Sequence, residues 1–404
     1  MTKYPELKAA LECEIDRQFG LFSSYIEKKR ACRLDFSWCL NSRFYTPSVL
    51  ELRRLGKTKK ESFFNYVLFY FSKKIWSAWI WKAISKTVLE KIQARYFPHS
   101  DPLGHFFIHH MAYSFLKYVR SFQEASLIEM LNLCSRCVSA AYYLRYRTLD
   151  IYADEKRKQN AACKRIYQSI RSTVLKRPDA FLMTFYLSIK ANDIDSFESD
   201  SLRFIQGFSE EIDTYLDQEH VHPDWLTEPL KEQIKVVQTS LNRPRRILYD
   251  LDNCGEIYFD LLFLEVLLKN GHEVVICSKE KAVLNDVTYS DLTAVLSDSD
   301  CSHFKLFQHG KLRVIHSGSD VVGKELSGLN QAYIDAYRWS NLVFMKGQGH
   351  ALSMPILRKQ VHYHKEHVYV LGIKSELMRL GLRDMLGERH WSCTSRYLVY
   401  TLFA

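Results

Sequence analysis

The sequence predicts an α/β protein: a three-layer, Rossmann-like, mostly parallel sheet with a large N-terminal all-helical domain. Three observations predict it. Between Arg245 and Leu292, two buried-type strands, Ile247 to Tyr249 and Glu273 to Cys277, flank an apolar-periodic helix, Tyr258 to Asn270, closed by Gly271. Such a strand–helix–strand unit implies parallel pairing. Strand patterns recur at Leu312 to His316, Leu342 to Met345 and His367 to Leu371, whereas residues 1–240 read as successive helices. The soft boundary is set at the connector His220 to Pro244, giving a helical domain over 1–240 and an α/β core over 241–404.

Met1 to about Glu61 is mixed and mostly helical, with a basic turn at Gly56 to Lys60. Ser62 to Phe97 reads as one or two aromatic-faced helices, ended by Pro98 to Pro102. Phe63 to Trp81 is the nearest approach to a membrane span, but Lys73 and Lys74 split it, so a core helix is expected. A helix over Leu103 to Phe122 carries His105 and His109 at a ligating spacing, with no acidic partner between them. Helices over Glu124 to Arg147, Asp154 to Lys176 and Phe181 to Lys190 follow, the last stopping at the polar elbow Ala191 to Asp195. Asn and Asp there suit a capping turn.

Composition bounds the class without choosing the function. The chain has 404 residues, 47% hydrophobic and 25% charged, with net charge +10. That is an ordinary globular balance, long enough for a large core. The basic excess suits anionic small molecules or an anionic surface, and no nucleic-acid motif accompanies it. Met1 to Gln18 is polar and charged, unlike a secretory leader. The ten cysteines are scattered; Cys134 and Cys137 have metal-like spacing but no second pair and lie inside a helical run, so they read as buried structural thiols, with a reducing cytoplasm as the setting.

Chemistry concentrates at the strand ends, where open α/β sheets bind ligands. The first carries Asp250, Asp252, Asn253 and Glu256; Asn285 and Asp286 follow the second. Two carboxylates and an amide oxygen from Asp252, Asn253 and Asp286, with waters and a phosphate, would complete an octahedral site for Mg²⁺ or Mn²⁺. Lys346, Gly347 and Gly349 form an anion-friendly turn after the strand ending at Met345: the glycines allow close backbone approach and the lysine adds a charge.

The paired motifs DNCGE and LNDVT, separated by a helix and a strand, resemble the DUF89 family of metal-dependent damage-control phosphatases (ARMT1-like, and similar to the phosphatase domain of pantothenate kinase 4). The resemblance covers roughly the last 165 residues well and the helical part weakly. It implies Asp252, Asn253 and Asp286 as ligands of a divalent metal (Mg²⁺, Mn²⁺, Co²⁺ or Ni²⁺), with Asp252 as ligand alone or also as nucleophile or base. It implies phosphate contact by Lys346, Gly347 and Gly349, and substrate or phosphate roles for Glu256, Asp320, Lys374, Asn192 and Asp195. His350 stands where many relatives have Asn, and Ala191 where they often have Gly. The activity implied is hydrolysis of small, damaged phosphometabolites such as sugar phosphates or phosphopantetheine derivatives. Three rivals stand beside it. A haloacid-dehalogenase-type phosphatase would use Asp250 as nucleophile and Asp252 as acid. A carboxyl methyltransferase would need an adenosyl pocket, against which the acidic first turn argues. A non-enzymatic adaptor would bind a protein or membrane surface through the aromatic, basic helical half.

Overall fold

The computed structural model describes residues 4–31, 102–118, 127–147, 150–194, 201–217, 223–307, 310–324, 328–353, 365–373 and 397–402. These divide into two compact units, the second beginning at Tyr152. The first holds α1 (Tyr4–Ala31), α2 (Pro102–Lys117) and α3 (Leu127–Tyr146). Leu11, Ile15, Phe19 and Phe22 recur on one stripe of α1 and bury against Leu103, Phe107 and Met111 of α2 and Leu133 to Val138 of α3. Cys134 and Cys137 are buried thiols of this core, and burial pushes the Cys134 thiol up to about 12. His105 and His109 fall on α2, but their side chains lie outside the described residues, as does all of Ser62 to Phe97. Among the described residues, no helix is long and apolar enough to cross a membrane.

In the second unit, α4 (Ala153–Lys176), α5 (Ala180–Lys190), α6 (Ser201–Leu216) and α7 (Glu228–Ser240) precede β1 (Arg246–Asp250). Then come α8 (Ile257–Lys269), β2 (Glu273–Ser278), α9 (Tyr289–Ser297), β3 (Leu312–His316), α10 (Gln331–Trp339), β4 (Leu342–Lys346), α11 (Gly347–Ser353), β5 (Glu366–Gly372) and β6 (Tyr397–Leu402). The boundary expected near residue 241 lies inside this unit. Residues of α4 to α7 share one apolar cluster with α8 and the sheet, so the preceding helices form a layer of the α/β unit.

The sheet runs β3-β2-β1-β4-β5-β6. β1 to β5 pair in parallel and β6 returns antiparallel on β5. β6 was not anticipated, and the polar run after α9 winds into a 3₁₀ helix, Ser299–Leu306. The strand order reverses between β1 and β4, the position where such sheets open a crevice. Adjacent residues of β1 face opposite layers. Tyr249 points to α8 and α5, its hydroxyl donating to Asp260 at 2.9 Å, while Asp250 points to α10 and accepts from Tyr333 at 2.8 Å. Every residue of α8 from Ile257 to Leu268 is buried, which explains its nearly unbroken apolar sequence. Both of its acids find partners inside the protein, Asp260 through Oδ1. Glu265 takes a bidentate pair from Arg171 (2.8 and 2.7 Å), with Lys269 and His303 at 2.8 and 3.0 Å.

Candidate metal centre at the strand-order switch

The turn after β1 is shaped by glycine. Gly255 adopts φ +82°, and a Cβ there would press on Ile194, Gln159 and Cys163, so the turn lies hard against the helical layer. Asn160 of α4 accepts the Gly255 N–H at 2.7 Å. The loop after β2 comes back to meet it: an isolated antiparallel bridge pairs Asn253 with Asp286. Cys254 N–H donates to the Asn285 carbonyl at 3.0 Å, and Val287 N–H donates to the Asp252 carbonyl at 2.8 Å. Leu284 is held at φ +47° just before this contact, a conformation disfavoured for a side chain by about 1–2 kcal/mol. Thr288 ends the loop as the cap of α9, reciprocated by Asp291. Asp252, Asn253 and Asp286 are therefore brought together by backbone pairing rather than by adjacent strand ends, since Asp286 lies eight residues beyond the end of β2.

β4 supplies the opposite wall. Gly347 adopts φ +83°, and a Cβ there would fall 1.8 Å from Asp252 Oδ2. Gly349 packs on the turn after β3, where a Cβ would fall 2.8 Å from Val322 Cγ1 and 2.9 Å from Gly323 N. Lys346 is fully buried. Its ammonium donates to the Ser188 carbonyl and hydroxyl (3.1 Å to Oγ) and sits 3.1 Å from Asp260 and 3.6 Å from Glu256. The expected phosphate lysine thus faces the α5 and α8 layer, and at this end of β4 the backbone of Gly347 lies against Asp252.

Two buried polar networks flank the turn, one in each layer. In the α8 layer, Asn253 donates its amide protons to Asp252 Oδ2 (3.0 Å) and Glu256 Oε1 (2.8 Å), and Glu256 faces Lys346. In the α10 layer, Lys324 lies 2.8 Å from Asp250, and Lys279 lies 3.5 Å from Asp286 while donating to the carbonyls of Val321 (2.8 Å) and Gly323. Burial pushes the Asp250 carboxyl up, but the Lys324 ammonium and the Tyr333 hydroxyl hold it below the usual range. Burial also lowers the Lys279 ammonium, against the opposing pull of Asp286. His350 donates Nδ1–H to the Lys346 carbonyl at 2.7 Å. Burial, with Lys279 and Lys324 nearby, holds its imidazole down to about 3, so it is neutral at physiological pH.

The donor set fits a hard divalent cation. An amide whose N–H₂ group is committed to two carboxylates presents its carbonyl oxygen as the remaining donor. Around the turn, five carboxylates (Asp250, Asp252, Glu256, Asp260, Asp286) outnumber three amine side chains (Lys279, Lys324, Lys346), an acidic excess that suits a cation. Among the described residues, no three His, Cys, Asp or Glu side chains form a ligand group by themselves. The trio offers two acids, and its third donor is an amide.

Of the other expected site residues, Asn192 and Asp320 are among the described residues. Asn192 is buried and donates to the carbonyls of Ser188 (3.3 Å) and Ile189 (3.1 Å), capping α5, with its Cβ beside Gly372 at the end of β5. Asp320 is half-buried in the turn after β3, next to the carbonyls that hold Lys279. Asp195 and Lys374 lie outside the described residues.

The damage-control phosphatase ARMT1-like domain profile matches residues 82–378, well over half of the chain. The chain belongs to the damage-control phosphatase ARMT1-like family. Similar proteins include the uncharacterized protein MJ0202 of Methanocaldococcus jannaschii, 30% identical over 130 residues (32% of this chain, 38% of that one). The damage-control phosphatase PH1575 of Pyrococcus horikoshii is 33% identical over 110 residues, covering 27% of this chain and 34% of that one. The damage-control phosphatase At2g17340 of Arabidopsis thaliana is 26% identical over 257 residues, covering 61% and 67%. The chain thus spans little more than a third of the two archaeal relatives in these matches. The crystal structure of PH1575, a DUF89 family protein, shares the fold, with TM-score 0.55 and 20% identity over 75% of this chain and 93% of that one.

Within the ARMT1-like fold of this chain, the sequence reading did not find Ser188, Asp260, Lys279, Lys324 or Tyr333. Asp260 was the most accessible of them: an acid at the fourth helical position of an otherwise apolar, fully buried helix needs a partner. Nothing local singled out the three others that lie beyond β2, because their roles come from turns packed over the switch point.

Proposed function

We propose that the crevice at the β1/β4 switch hydrolyses phosphomonoesters of small phosphorylated metabolites, with a divalent cation held by Asp252, Asn253 and Asp286. Three features support the reading: the backbone bridge joining Asn253 to Asp286, the contact of Gly347 with Asp252, and membership of the ARMT1-like family. The bridge carries most of it, because it joins the two motifs into one donor set. Mg²⁺, Mn²⁺, Co²⁺ and Ni²⁺ all suit these oxygens. When bound, the cation polarises phosphoryl oxygens and lowers the pKa of a ligated water.

The chain's own residues then divide the work. Asp252, half-buried and the most open of the trio, supplies a carboxylate at the mouth of the turn. Asn253 and Asp286 sit behind it, both buried. Gly347 and Gly349 bring backbone close to the phosphate position, and Lys346 contributes a buried positive charge behind them. Asn192, Asp195, Glu256, Asp320 and Lys374 are assigned by resemblance to the substrate side. The substrate class proposed is sugar phosphates, phosphopantetheine derivatives or related damaged metabolites, and the setting is cytoplasmic.

Asp250 is a poor nucleophile in this arrangement. It is fully buried, faces the α10 layer and is engaged by Lys324 and Tyr333, which disfavours the haloacid-dehalogenase reading. The test is turnover of a chromogenic phosphomonoester with each metal by Asp252→Ala, Asn253→Ala and Asp286→Ala. Losses of about a hundredfold or more are expected. Turnover like wild type in all three would remove the site.

A further inference from the structure

We propose that Ser188 and Asp260 are positioning residues for the cation site, acting through Lys346 and Glu256 on the side-chain amide of Asn253. This rests on the metal reading above. The chain of contacts runs through the α5 and α8 layer, away from the crevice. Asp260 Oδ1 accepts from Ser188 Oγ at 2.6 Å and from Tyr249 at 2.9 Å. Ser188 Oγ in turn accepts from Lys346 at 3.1 Å, so one hydroxyl bridges the carboxylate and the ammonium. Glu256 lies 3.6 Å from the same ammonium and accepts the Asn253 amide through its other oxygen. Ser188, Asp260, Lys346 and Glu256 are all essentially inaccessible to solvent, so bulk water does not screen the contacts between them.

The amide of Asn253 has two orientations, and only one offers oxygen to a cation. Rotating it by half a turn would set its oxygen against the carboxylates of Asp252 and Glu256, which is repulsive. Glu256 therefore selects the competent orientation. Lys346 balances the buried charge on Glu256 from a point fixed by three acceptors: the carbonyl and hydroxyl of Ser188 and the carboxylate of Asp260. Without Asp260, the ammonium is drawn towards Glu256 and pulls that carboxylate off the amide. Without the Ser188 hydroxyl, the bridge that sets the distance between Lys346 and Asp260 is gone. Outer contacts of this kind commonly change metal affinity by about 10–100-fold.

The experiment is a calorimetric Mn²⁺ titration of the full chain, with the melting temperature of the metal-free protein measured alongside. Ser188→Ala and Asp260→Asn are expected to weaken Mn²⁺ binding by about tenfold. Ser188→Thr, which restores the hydroxyl, is expected to bind like wild type. Tyr249→Phe removes a hydroxyl that lies 2.9 Å from the same carboxylate and 3.4 Å from Ser188 Oγ but leaves the Ser188–Asp260 and Ser188–Lys346 hydrogen bonds in place, and is expected to keep wild-type affinity. Should Asp260→Asn fail to fold, Ser188→Ala leaves every charge in place and carries the test. Unchanged affinity in folded Ser188→Ala, or an equal loss in Tyr249→Phe, overturns the inference while leaving the metal site standing. A wild-type protein that binds no Mn²⁺ overturns the metal reading and this inference together.

Discussion

Replacing Gly347 by alanine tests the closest contact in the crevice. The residue sits at φ +83°, and an added Cβ would lie 1.8 Å from Asp252 Oδ2 and 2.1 Å from Cγ. Ordinary contact needs about 3.5 Å, so the carboxylate or the β4–α11 turn must retreat by roughly 1.5 Å. The backbone conformation adds about 1–2 kcal/mol for a residue with a side chain. For a unit of this size each kcal/mol lowers the melting temperature by about 2–4 °C. The fold should therefore survive with a modest loss of stability. The chemistry should not, because a misplacement of about 1 Å can cost about a hundredfold in rate. The assay is kcat/KM on a chromogenic phosphomonoester with saturating Mn²⁺, beside thermal melting. A Gly347→Ala protein with wild-type kcat/KM would refute the argument, since Asp252 would then tolerate displacement from the position proposed for a ligand.

Other perturbations probe the buried charges. Lys324→Met strands Asp250 in the α10 layer and should cost about 3–5 kcal/mol in urea unfolding, with much of the loss recovered in the Asp250→Asn/Lys324→Met double variant; additive losses would show that the two do not interact. Glu265 gives a pH signature. Burial pushes its carboxyl up, but His303, Arg171 and Lys269 outweigh this and hold it at about 2, below its ordinary 4.5. A depressed folded-state value means the stabilisation is complete above about pH 4.5 and is lost as pH falls towards about 2. Glu265→Gln should thus unfold about 3 kcal/mol more easily than wild type at pH 7, with the gap closing below pH 4.5. A gap independent of pH would place the effect in packing rather than charge.

Much of the α/β core was legible because its signals are local. β1, β2, β3, β4 and β5 fall within a residue or two of the expected spans, each a short apolar run ended by polar or glycine-rich residues. The motif residues Asp252, Asn253 and Asp286 were legible as types and as a spacing. Their meeting through a backbone bridge was not, because it depends on the left-handed turn at Leu284 folding the second loop back. Lys346 shows the same limit. Its place in the order was clear, but its direction is set by Ser188, 158 positions earlier, and by Asp260. The helices over residues 153–240 misled the boundary for a related reason. Their apolar faces look alike whether they cover one another or cover a sheet, and only contact with α8 shows which.

The sequence by itself determined the fold class, the parallel strands and the donor chemistry of the two motifs, since periodicity and residue type act over a few positions. The tertiary structure alone decided which charges face one another across the switch point. Buried ion pairs such as Lys346 with Asp260, Lys324 with Asp250 and Lys279 with Asp286 join turns and layers distant in the chain. Their energies depend on separation and the exclusion of water, neither of which spacing along a chain encodes.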